Sequence, residues 1–382
     1  MNHTDYTDDY CRTLIDPRWI GRRVAVAMSG GVDSSVAAVI LAKAGCEVIG
    51  VTMKLWDFAD VGGDAQRDGQ CCTIDAFNRC RAVADRHGFP HYTIDFTTRF
   101  ATDVIDYFVS EYRRARTPNP CIVCNSRVRW PALWDKMAAL GCEAIATGHY
   151  AKLSLDGNGE VDLRRAADAN RDQTYFLWDV GAEHFRRTIF PLGTLRKPQI
   201  RDMARAWSLP TAETPESRDI CFVADGDLGR FMSERSTQDG ACATPGPIVD
   251  RDGNIVGQHD GFEAYTIGQR KGLGVALGRP QYVTRIDPDT ASVTIGDDAD
   301  LLTTTCRISQ THWLVKTNAV LDEVLVQIRY RHQAAAARVR VESSASATIE
   351  FLEPQRAITP GQSAVVYMGD RVLGGGVIDS AG

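Results

Sequence analysis

The 382-residue sequence contains no apolar run that approaches the roughly 18 residues needed to cross a bilayer, so it predicts neither a membrane span nor an anchor. Its eleven cysteines are odd in number and too sparse for a disulfide scaffold, and Met1 to Tyr10 are polar and acidic, unlike a secretory signal. We therefore expect a protein of the reducing cytoplasm. An excess of positive charge is also missing, because 43 Lys and Arg face 49 Asp and Glu, a net charge of -6. That balance argues against a uniformly basic nucleic-acid binder and leaves only a local basic patch.

The length exceeds the size at which single hydrophobic cores usually divide, so two or three domains are expected. From Arg23 to about Tyr150, short apolar runs alternate with helical stretches, a pattern typical of a parallel sheet covered by helices. After about Gly226, glycine, proline and aspartate separate short β-rich runs. The predicted fold class is α/β, a doubly wound parallel sheet followed by two smaller β-rich domains, the last a β-barrel. The predicted boundaries are 1–20 for an N-terminal extension, then 21–225, 226–300 and 301–382.

Local patterns predict where individual elements begin and end. One helix is predicted to end at Gly45 and the next at Gly88, and aromatic or apolar residues every four positions from Phe100 to Tyr112 predict an amphipathic helix. The stretch Asp57–Gly69 lacks periodicity and is predicted to be a loop over the strand ends. The predicted strands are Arg23–Met28, Glu47–Met53, His91–Asp95, Glu143–Thr147, Gln281–Ile286, Ser292–Ile295, Val324–Tyr330, Arg338–Val341 and Ala364–Tyr367.

The first predicted strand breaks into Ser29-Gly30-Gly31 and continues as a helix from Val32. Two glycines let the backbone turn sharply, and the helix adds its unpaired N–H donors and its positive dipole end. This arrangement predicts a phosphate site. It is not the common triphosphate loop, because the Lys-Ser/Thr pair that ends that motif is missing. The alternative is a glycine-rich turn that binds no ligand.

A second chemical feature is the pair Cys121 and Cys124, which follows Pro118 and Pro120. The prolines stiffen the approach of the chain and so fix where the thiols point. Two other interpretations stay open: a pair of small buried hydrophobes, or half of a zinc site, for which no second Cys/His pair is obvious. Cys221 alone would be a core residue. Nearby cations that would lower a thiol pKa and attract phosphate are Arg113, Arg114, Arg116, Arg127, Arg129 and Lys136.

The order of motifs beyond about Gly21 resembles one known family over nearly the whole chain. The motifs are Ser29–Ser34, Val51–Met53, Cys71-Cys72, Thr117–Asn125, Ala146–Tyr150, Asp172–Leu177, Glu216–Phe222 and Tyr265–Gly274. Ser-Gly-Gly-Val-Asp-Ser is similar to the pyrophosphate loop of the ATP pyrophosphatases, which cleave ATP between its α and β phosphates. The full order is similar to that of the bacterial tRNA-specific 2-thiouridylases, the MnmA/TrmU family.

This resemblance implies an ATP-dependent tRNA-uridine 2-sulfurtransferase. ATP, with Mg²⁺, would adenylate the C2 oxygen of the wobble uridine 34 in tRNAs for Lys, Glu and Gln. A protein-bound persulfide would then supply sulfur, giving 2-thiouridine, AMP and pyrophosphate. Residues 21–225 would form the catalytic domain, with a helical insertion that contacts tRNA. The implied partners are tRNA and a persulfide sulfur-donor protein, and no membrane is involved.

The resemblance also assigns roles to residues. Cys221 matches the persulfide carrier, and Cys124 matches the nucleophile that ends in a transient disulfide with it. No metal site is implied. Contacts to ATP are implied for Ala27, Met28, Ser29, Gly30, Gly31, Val32, Asp33, Ser34, Met53 and Gly148. Contacts to the target base are implied for Asn119, Pro120 and Cys121, and contacts to tRNA for His149, Arg171, Asp172, Gln173, Arg329, Tyr330 and Gln362.

Cys121 departs from the family pattern, because some relatives carry there an Asp that acts as an acid/base group. A thiolate can accept a proton but brings its own redox chemistry. Cys121, Cys124 and Cys221 together also suit an alternative, an iron–sulfur cluster held by three thiolates, although no fourth ligand is evident. Arg171 stands where relatives often have Lys, which keeps the charge and alters the phosphate geometry.

Two other functions compete with sulfur transfer. Another ATP pyrophosphatase, such as a synthetase that uses ammonia or an amine, needs no thiols. A non-catalytic RNA-binding protein would hold ATP as a structural ligand and release neither AMP nor pyrophosphate. The motif order favours the thiouridylase.

Overall fold

The computed structural model describes residues 6–57, 73–215, 220–223, 225–238, 243–275 and 278–382. Cys71, Cys72 and nearly all of the predicted loop 57–69 lie outside the described residues, as do residues 1–5 of the predicted extension. The chain divides into two compact units. The first comprises Met1–Asp103, Cys121–Asp225 and Asp370–Val372, and the second Val104–Pro120, Gly226–Gly369 and Leu373–Gly382.

A parallel five-stranded sheet forms the centre of the first unit, with strand order β3-β2-β1-β4-β7. The central strand β1 reads Arg-Val-Ala-Val-Ala and is buried over its middle three residues, because strands flank it on both edges and helices cover it. An antiparallel hairpin, β5 with β6, completes the strands of this unit. The strands are β1 (Arg23–Ala27), β2 (Glu47–Lys54), β3 (His91–Asp95), β4 (Ala144–Thr147), β5 (Ala151–Leu155), β6 (Val161–Arg165) and β7 (Thr188–Ile189).

Helices surround this sheet, and two of them end at the glycines that the sequence predicts. Gly45 and Gly88 follow the helices Val32–Ala44 and Ile74–His87 in the left-handed conformation, at φ 95° and 72°. The predicted helix over 100–112 is interrupted by a π-helical stretch, Ala101–Ile105. The helices in chain order are α1 (Asp8–Thr13), α2 (Val32–Ala44), α3 (Ile74–His87), α4 (Thr97–Phe100), α5 (Asp106–Tyr112), α6 (Pro120–Val123), α7 (Pro131–Ala139), α8 (Ala182–Phe185), α9 (Lys197–Ala206) and α10 (Leu228–Gln238). Shorter turns are the 3-10 helices Pro17–Trp19, Thr174–Phe176, Phe262–Ala264 and Asp298–Leu301, and the π-helix Cys124–Arg129.

The N-terminal segment packs against α2. Thr7 caps α1, and the buried side chains of Cys11, Ile15 and Trp19 join the core that also contains the apolar face of α2. Lys43 of α2 bonds Asp8 at 2.6 Å. Cys11, Ile15 and Trp19 therefore belong to the hydrophobic core of the first unit.

The second unit contains two β structures. A four-stranded sheet has the order β10-β11-β8-β9 and encloses a small core that includes Ile248, Val283 and Val293. A longer sheet closes on itself, because β12 pairs with β15 on one side and with β17 on the other. Closure removes the exposed strand edges of an open sheet. The strands are β8 (Gly246–Val249), β9 (Ile255–His259), β10 (Tyr282–Asp287), β11 (Ser292–Gly296), β12 (Leu302–Trp313), β13 (Val320–Gln327), β14 (Ala335–Ser343), β15 (Ser346–Arg356), β16 (Ser363–Met368) and β17 (Arg371–Ala381).

These features confirm the predicted fold class, a parallel α/β sheet followed by two β-rich structures of which the last is a barrel. In the part of the chain that the structure describes, no helix is long and apolar enough to cross a membrane.

Candidate active site

The phosphate loop, residues 29–34, connects β1 to α2. Gly30 has φ +75°, and a Cβ added there would lie 2.7 Å from the backbone of Ala76, so only glycine fits. Gly31 caps α2 without a side chain, which leaves the first N–H groups of the helix to point at a ligand. Ser34 Oγ accepts the N–H of Ser29 at 3.1 Å and thereby fixes the turn. The loop has the geometry of an anion site.

This loop lies at the switch point of the sheet. β1 has β2 on one side and β4 on the other, so the chain leaves neighbouring strands in opposite lateral directions, and ligands bind at such points outside the carboxyl ends of strands. Gly148, directly after β4, approaches the helix so closely that a Cβ there would lie 2.7 Å from the Ser34 nitrogen. Ala27, Met53 and Gly148, three of the residues predicted to contact ATP, thus share one edge of the sheet with the phosphate loop.

Asp33, the second residue of α2, has two partners that contact its carboxylate. The ammonium of Lys197 lies 2.8 Å from both carboxylate oxygens, and its side chain is only 9% exposed. The hydroxyl of Tyr150 donates to Oδ1 at 2.6 Å. A carboxylate at the mouth of an anion site repels phosphate, and Lys197 neutralises that charge. Lys197 is not predicted from the sequence, because its pairing with Asp33 joins residues 164 positions apart.

The two thiols of the predicted sulfur chemistry lie in segments that contact the same short helix, α4. Cys124 is buried and begins the π-helix Cys124–Arg129, and α4 contacts this π-helix through Arg99, whose guanidinium bonds the Arg127 carbonyl at 3.4 Å. Cys221 is half-buried, and the ring of its neighbour Phe222 packs edge-on against Phe100 of α4 at 5.8 Å. Glu216 to Asp219 of the Cys221 motif lie outside the described residues.

Other cysteines of the described chain are chemically inert by burial. Burial raises the pKa of Cys11 and Cys46 to about 11 and that of Cys306 to about 12. Such thiols stay protonated near neutral pH and are poor nucleophiles. Cys121, by contrast, is exposed.

Among the described residues, no three His, Cys, Asp or Glu side chains lie close enough together to hold a metal ion. Cys121, Cys124 and Cys221 are all described and do not form a group that holds a single metal ion. The iron–sulfur alternative stays a prediction.

Two residues predicted to contact tRNA are buried in the first unit. His149 Nε2 accepts a hydrogen bond from Arg129 at 3.4 Å, so its Nδ1 carries the proton and donates to the Thr147 hydroxyl at 2.7 Å, and the ring packs on that of Trp130. Burial, with the Arg129 charge as a smaller cause, lowers the pKa of His149 to about 3 and keeps its ring neutral. Asp172 accepts hydrogen bonds from Arg165, Thr174 and the backbone of Ala166. Both side chains hold the local fold, and their contact with RNA stays a prediction.

Arg171 and Gln173 lie near residues that bond Asp33 of the phosphate loop. Gln173 is bonded to Tyr150 twice, by its own N–H and by its side-chain oxygen. Arg171 lines a cavity of about 450 Å³, whose other lining residues are Asp168, Asn170, Lys197, Pro198, Arg201, Asp202 and Arg205. Four cationic side chains and two carboxylates thus meet at this cavity.

The remaining predicted residues lie in the second unit. Gln362 donates to the Thr117 carbonyl at 2.8 Å, and Thr117 N–H donates to the Pro360 carbonyl, so the barrel fixes the segment that leads to Asn119 and Pro120. Arg329 donates to the Arg356 carbonyl, and Tyr330 lies beneath the guanidinium of Arg331. Arg270, in the motif Tyr265–Gly274, lines a cavity of about 380 Å³ together with Arg279.

The parallel sheet and the Ser-Gly-Gly-Val-Asp-Ser loop at its switch point define an ATP pyrophosphatase. Three family models match: the "tRNA methyl transferase HUP domain" over residues 22–225, the "tRNA methyl transferase PRC-barrel domain" over 238–297 and the "Aminomethyltransferase beta-barrel domain" over 303–378. A tRNA-specific 2-thiouridylase MnmA from Salinibacter ruber is 44% identical over 364 residues, which are 94% of this chain and 95% of the relative. The MnmA of Carboxydothermus hydrogenoformans is 46% identical over 94% of this chain and 98% of its own length. The chain belongs to the tRNA-specific 2-thiouridylase family.

Proposed function

We propose that this protein is a tRNA 2-thiouridylase that uses ATP to replace the C2 oxygen of the wobble uridine 34 with sulfur, in tRNAs for Lys, Glu and Gln. The observation that carries the proposal is the phosphate loop at the switch point, in a unit where the segments that contain Cys124 and Cys221 contact one helix through Arg127 and Phe222. Membership of the family over nearly the full chain supports the same activity.

In the first half of the reaction, ATP activates the C2 oxygen of the uridine. A carbonyl oxygen is a poor leaving group. When the C2 oxygen bonds to the α-phosphorus of ATP, pyrophosphate is released, and the oxygen can later leave C2 as part of AMP. The N–H groups at the start of α2 bind the phosphates, and the residues assigned to the nucleotide are 27–34, Met53 and Gly148. Mg²⁺ would accompany the phosphates and neutralise part of their charge, and the chain itself supplies Lys197, which pairs with Asp33, and Arg79, which donates to the Gly30 carbonyl at 3.1 Å.

Sulfur enters in the second half. A donor protein loads a sulfane sulfur onto Cys221, and the resulting persulfide is a strong nucleophile at neutral pH. As the terminal sulfur bonds to C2 and AMP leaves, the Cys124 thiolate attacks Cys221 Sγ and breaks the S–S bond. The sulfane sulfur takes two electrons, and the two thiols are oxidised to a Cys124–Cys221 disulfide. An external thiol reductant restores both.

The target base must leave its stack, since C2 is not accessible in a stacked anticodon loop. Asn119, Pro120 and Cys121 hold the flipped base, with the Cys121 thiol in the position of an acid/base group. The RNA contacts proposed here are His149, Arg171, Asp172, Gln173, Arg329, Tyr330 and Gln362. We propose the domain boundaries 1–20, 21–225, 226–300 and 301–382.

The proposal is tested by mass analysis of nucleosides from unmodified tRNA incubated with the protein, ATP and a persulfide donor. We expect 2-thiouridine only when ATP and the donor are both present, and none from the Cys221→Ser variant. The matched control is Cys306→Ser, in the barrel, which should form product like the wild type. ATP-dependent product formation by Cys221→Ser would instead favour a synthetase that uses another nucleophile.

A further inference from the structure

Cys121 and Cys124 lie one helical turn apart, and of the two Cys121 is exposed and Cys124 is buried. We infer that Cys121 is a resolving thiol: it attacks the Cys124–Cys221 disulfide that each turnover leaves and carries the oxidised state to the surface as a Cys121–Cys124 disulfide. This inference rests on the proposed function, which supplies the first disulfide. It adds a redox step to a residue that the proposed function assigns to the target base.

The two cysteines belong to one continuous helical segment. Cys121 lies in α6, and Cys124 begins the π-helix that follows, with Val123 between them at the helical angles φ -62° and ψ -41°. Side chains three positions apart in a helix are neighbours, with Cβ atoms about 5–6 Å apart. A disulfide needs about 3.5–4.5 Å between these atoms, so a small closure of the turn joins the two sulfurs. A disulfide that strains its turn in this way is easily reduced.

The buried side of this turn is fixed to the first unit. Asn125, next to Cys124, donates its side-chain amide to the Phe176 carbonyl at 2.9 Å, and the two residues between the cysteines are buried. Cys124 itself is 8% exposed. A reductant from solvent therefore reaches Cys121 without any opening of the fold, whereas burial hinders its approach to Cys124.

The half-buried Cys221 is the other sulfur that an external thiol can attack. Such an attack gives a mixed disulfide on Cys221 and releases Cys124 as a thiolate. In the proposed reaction that thiolate attacks Cys221 Sγ of the persulfide, and by the same step it expels the external thiol from the mixed disulfide. Attack on Cys221 by a monothiol therefore regenerates the Cys124–Cys221 disulfide, and productive reduction proceeds through Cys124.

Cys121 supplies that step from inside the protein. Its thiolate bonds to Cys124 Sγ, the Cys124–Cys221 bond breaks, and Cys221 leaves as a thiolate, which takes up the proton that Cys121 lost. No electrons enter or leave in this exchange, and Cys221 is again able to accept sulfur. Two external monothiols then reduce the Cys121–Cys124 disulfide and become a disulfide themselves. The exchange follows sulfur transfer, because the target base lies against Cys121 until the thiolated tRNA leaves.

The first test follows the disulfides over time after one turnover of protein loaded with persulfide, with ATP and unmodified tRNA and without a reductant. Samples are quenched with acid and alkylated, and peptide mass mapping identifies the linked cysteines. In the wild type we expect the Cys124–Cys221 disulfide to form in step with 2-thiouridine and then to give way to Cys121–Cys124, with Cys221 alkylated. In Cys121→Ser the Cys124–Cys221 disulfide should persist.

A second test needs no RNA and decides the matter if Cys121→Ser does not turn over. Each protein is oxidised with diamide, 2-mercaptoethanol is added, and the return of the Cys124 thiol is timed by alkylation. We expect this return to be at least about tenfold slower in Cys121→Ser than in the wild type, because the variant has lost the intramolecular thiol. Cys121→Asp, which supplies a proton acceptor but no sulfur, should be as slow as Cys121→Ser. The matched control is Cys142→Ser, which removes a buried thiol of the same unit and should match the wild type.

A wild type in which Cys121 stays alkylated while the Cys124–Cys221 disulfide persists would overturn the inference. Equal rates of reduction in the wild type and Cys121→Ser would also overturn it, as would equal rates in the wild type and Cys121→Asp. All three results leave the proposed function intact. Failure of the proposed function is a different result, namely no 2-thiouridine from the wild type under any condition.

Discussion

At the scale of single residues, the site depends on how charge is arranged around the phosphate loop. The sequence indicates Asp33 as part of the loop motif but carries no signal for Lys197, since the pair forms only when α9 packs beside α2. His149 shows the opposite case. The motif favours a functional role, whereas the ring is buried against Trp130 and kept neutral.

Asp33→Ala should abolish AMP formation and leave persulfide loading of Cys221 unchanged. The substitution leaves the nearly buried Lys197 without its counter-charge, and we expect the free energy of unfolding to fall by about 1–3 kcal/mol as well. AMP release and mass analysis of the loaded protein measure the two effects separately. Retained thiolation of tRNA by Asp33→Ala would contradict the role of the phosphate loop.

Cys124→Ala should load sulfur and form the adenylated RNA but fail to turn over. Without the second thiolate, nothing breaks the persulfide bond of Cys221, so AMP-linked RNA or persulfide should accumulate. Single-turnover quenching followed by mass analysis detects either species, and Cys142→Ala serves as a control because burial raises the pKa of that thiol. Normal turnover by Cys124→Ala would remove its assigned role.

At the scale of elements, periodicity and caps predict much of the first unit. The predicted strand His91–Asp95 has the observed bounds, and Glu47–Met53 differs from β2 by one residue at its end. Apolar runs predict these strands because they are buried on both faces or bounded by clear turns. The glycines that end α2 and α3 have the predicted left-handed conformation.

Strands of the barrel are predicted less well. The sequence pattern predicts none of β12, β15 and β17, and only parts of β13 and β14. β12 reads Leu-Thr-Thr-Thr-Cys-Arg-Ile and buries only Cys306 and Ile308, so its apolar signal is weak. β17 contains Gly374, Gly375 and Gly376. When only one sequence is considered, such a run of glycines favours a turn rather than a strand. These strands form by pairing with strands that are distant in the sequence, and the local sequence pattern does not indicate that pairing.

Gly148→Ala should weaken ATP binding by about tenfold to 100-fold. A Cβ at this position would lie 2.7 Å from the Ser34 nitrogen, so the first turn of α2 must move away from β4 and misplace its N–H donors. Gly157→Ala is the matched control, because no atom lies within 4 Å of its added Cβ. Equilibrium binding of a non-hydrolysable ATP analogue measures the change. Equal affinity of both variants would contradict the close approach.

At the scale of the whole molecule, the cysteines divide into two chemical groups. Cys11, Cys46 and Cys306 are buried, with pKa values of about 11, 11 and 12, so they are protonated at pH 8. Raising the pH toward 10 increases the thiolate fraction about tenfold per pH unit, but this fraction stays at about a tenth or below, since the folded pKa values still lie above the solution pH. The exposed Cys121 needs no opening of the fold to meet a reagent.

Iodoacetamide at pH 8 should therefore modify Cys121 at least about tenfold faster than Cys306 in the folded protein. Peptide mass mapping over time gives the rate at each thiol, and the protein in guanidinium serves as the control in which both react. Equal rates for Cys121 and Cys306 in the folded protein would contradict the burial of Cys306 in the barrel core.

The most direct measurement is a single turnover with protein loaded with one labelled persulfide sulfur, excess ATP and unmodified tRNA. AMP, 2-thiouridine and the Cys124–Cys221 disulfide are quantified in the same quenched samples. We predict equal amounts of all three, with the label in the nucleoside. Labelled 2-thiouridine without AMP, or AMP without transfer of the label, would contradict the coupling of ATP cleavage to sulfur transfer.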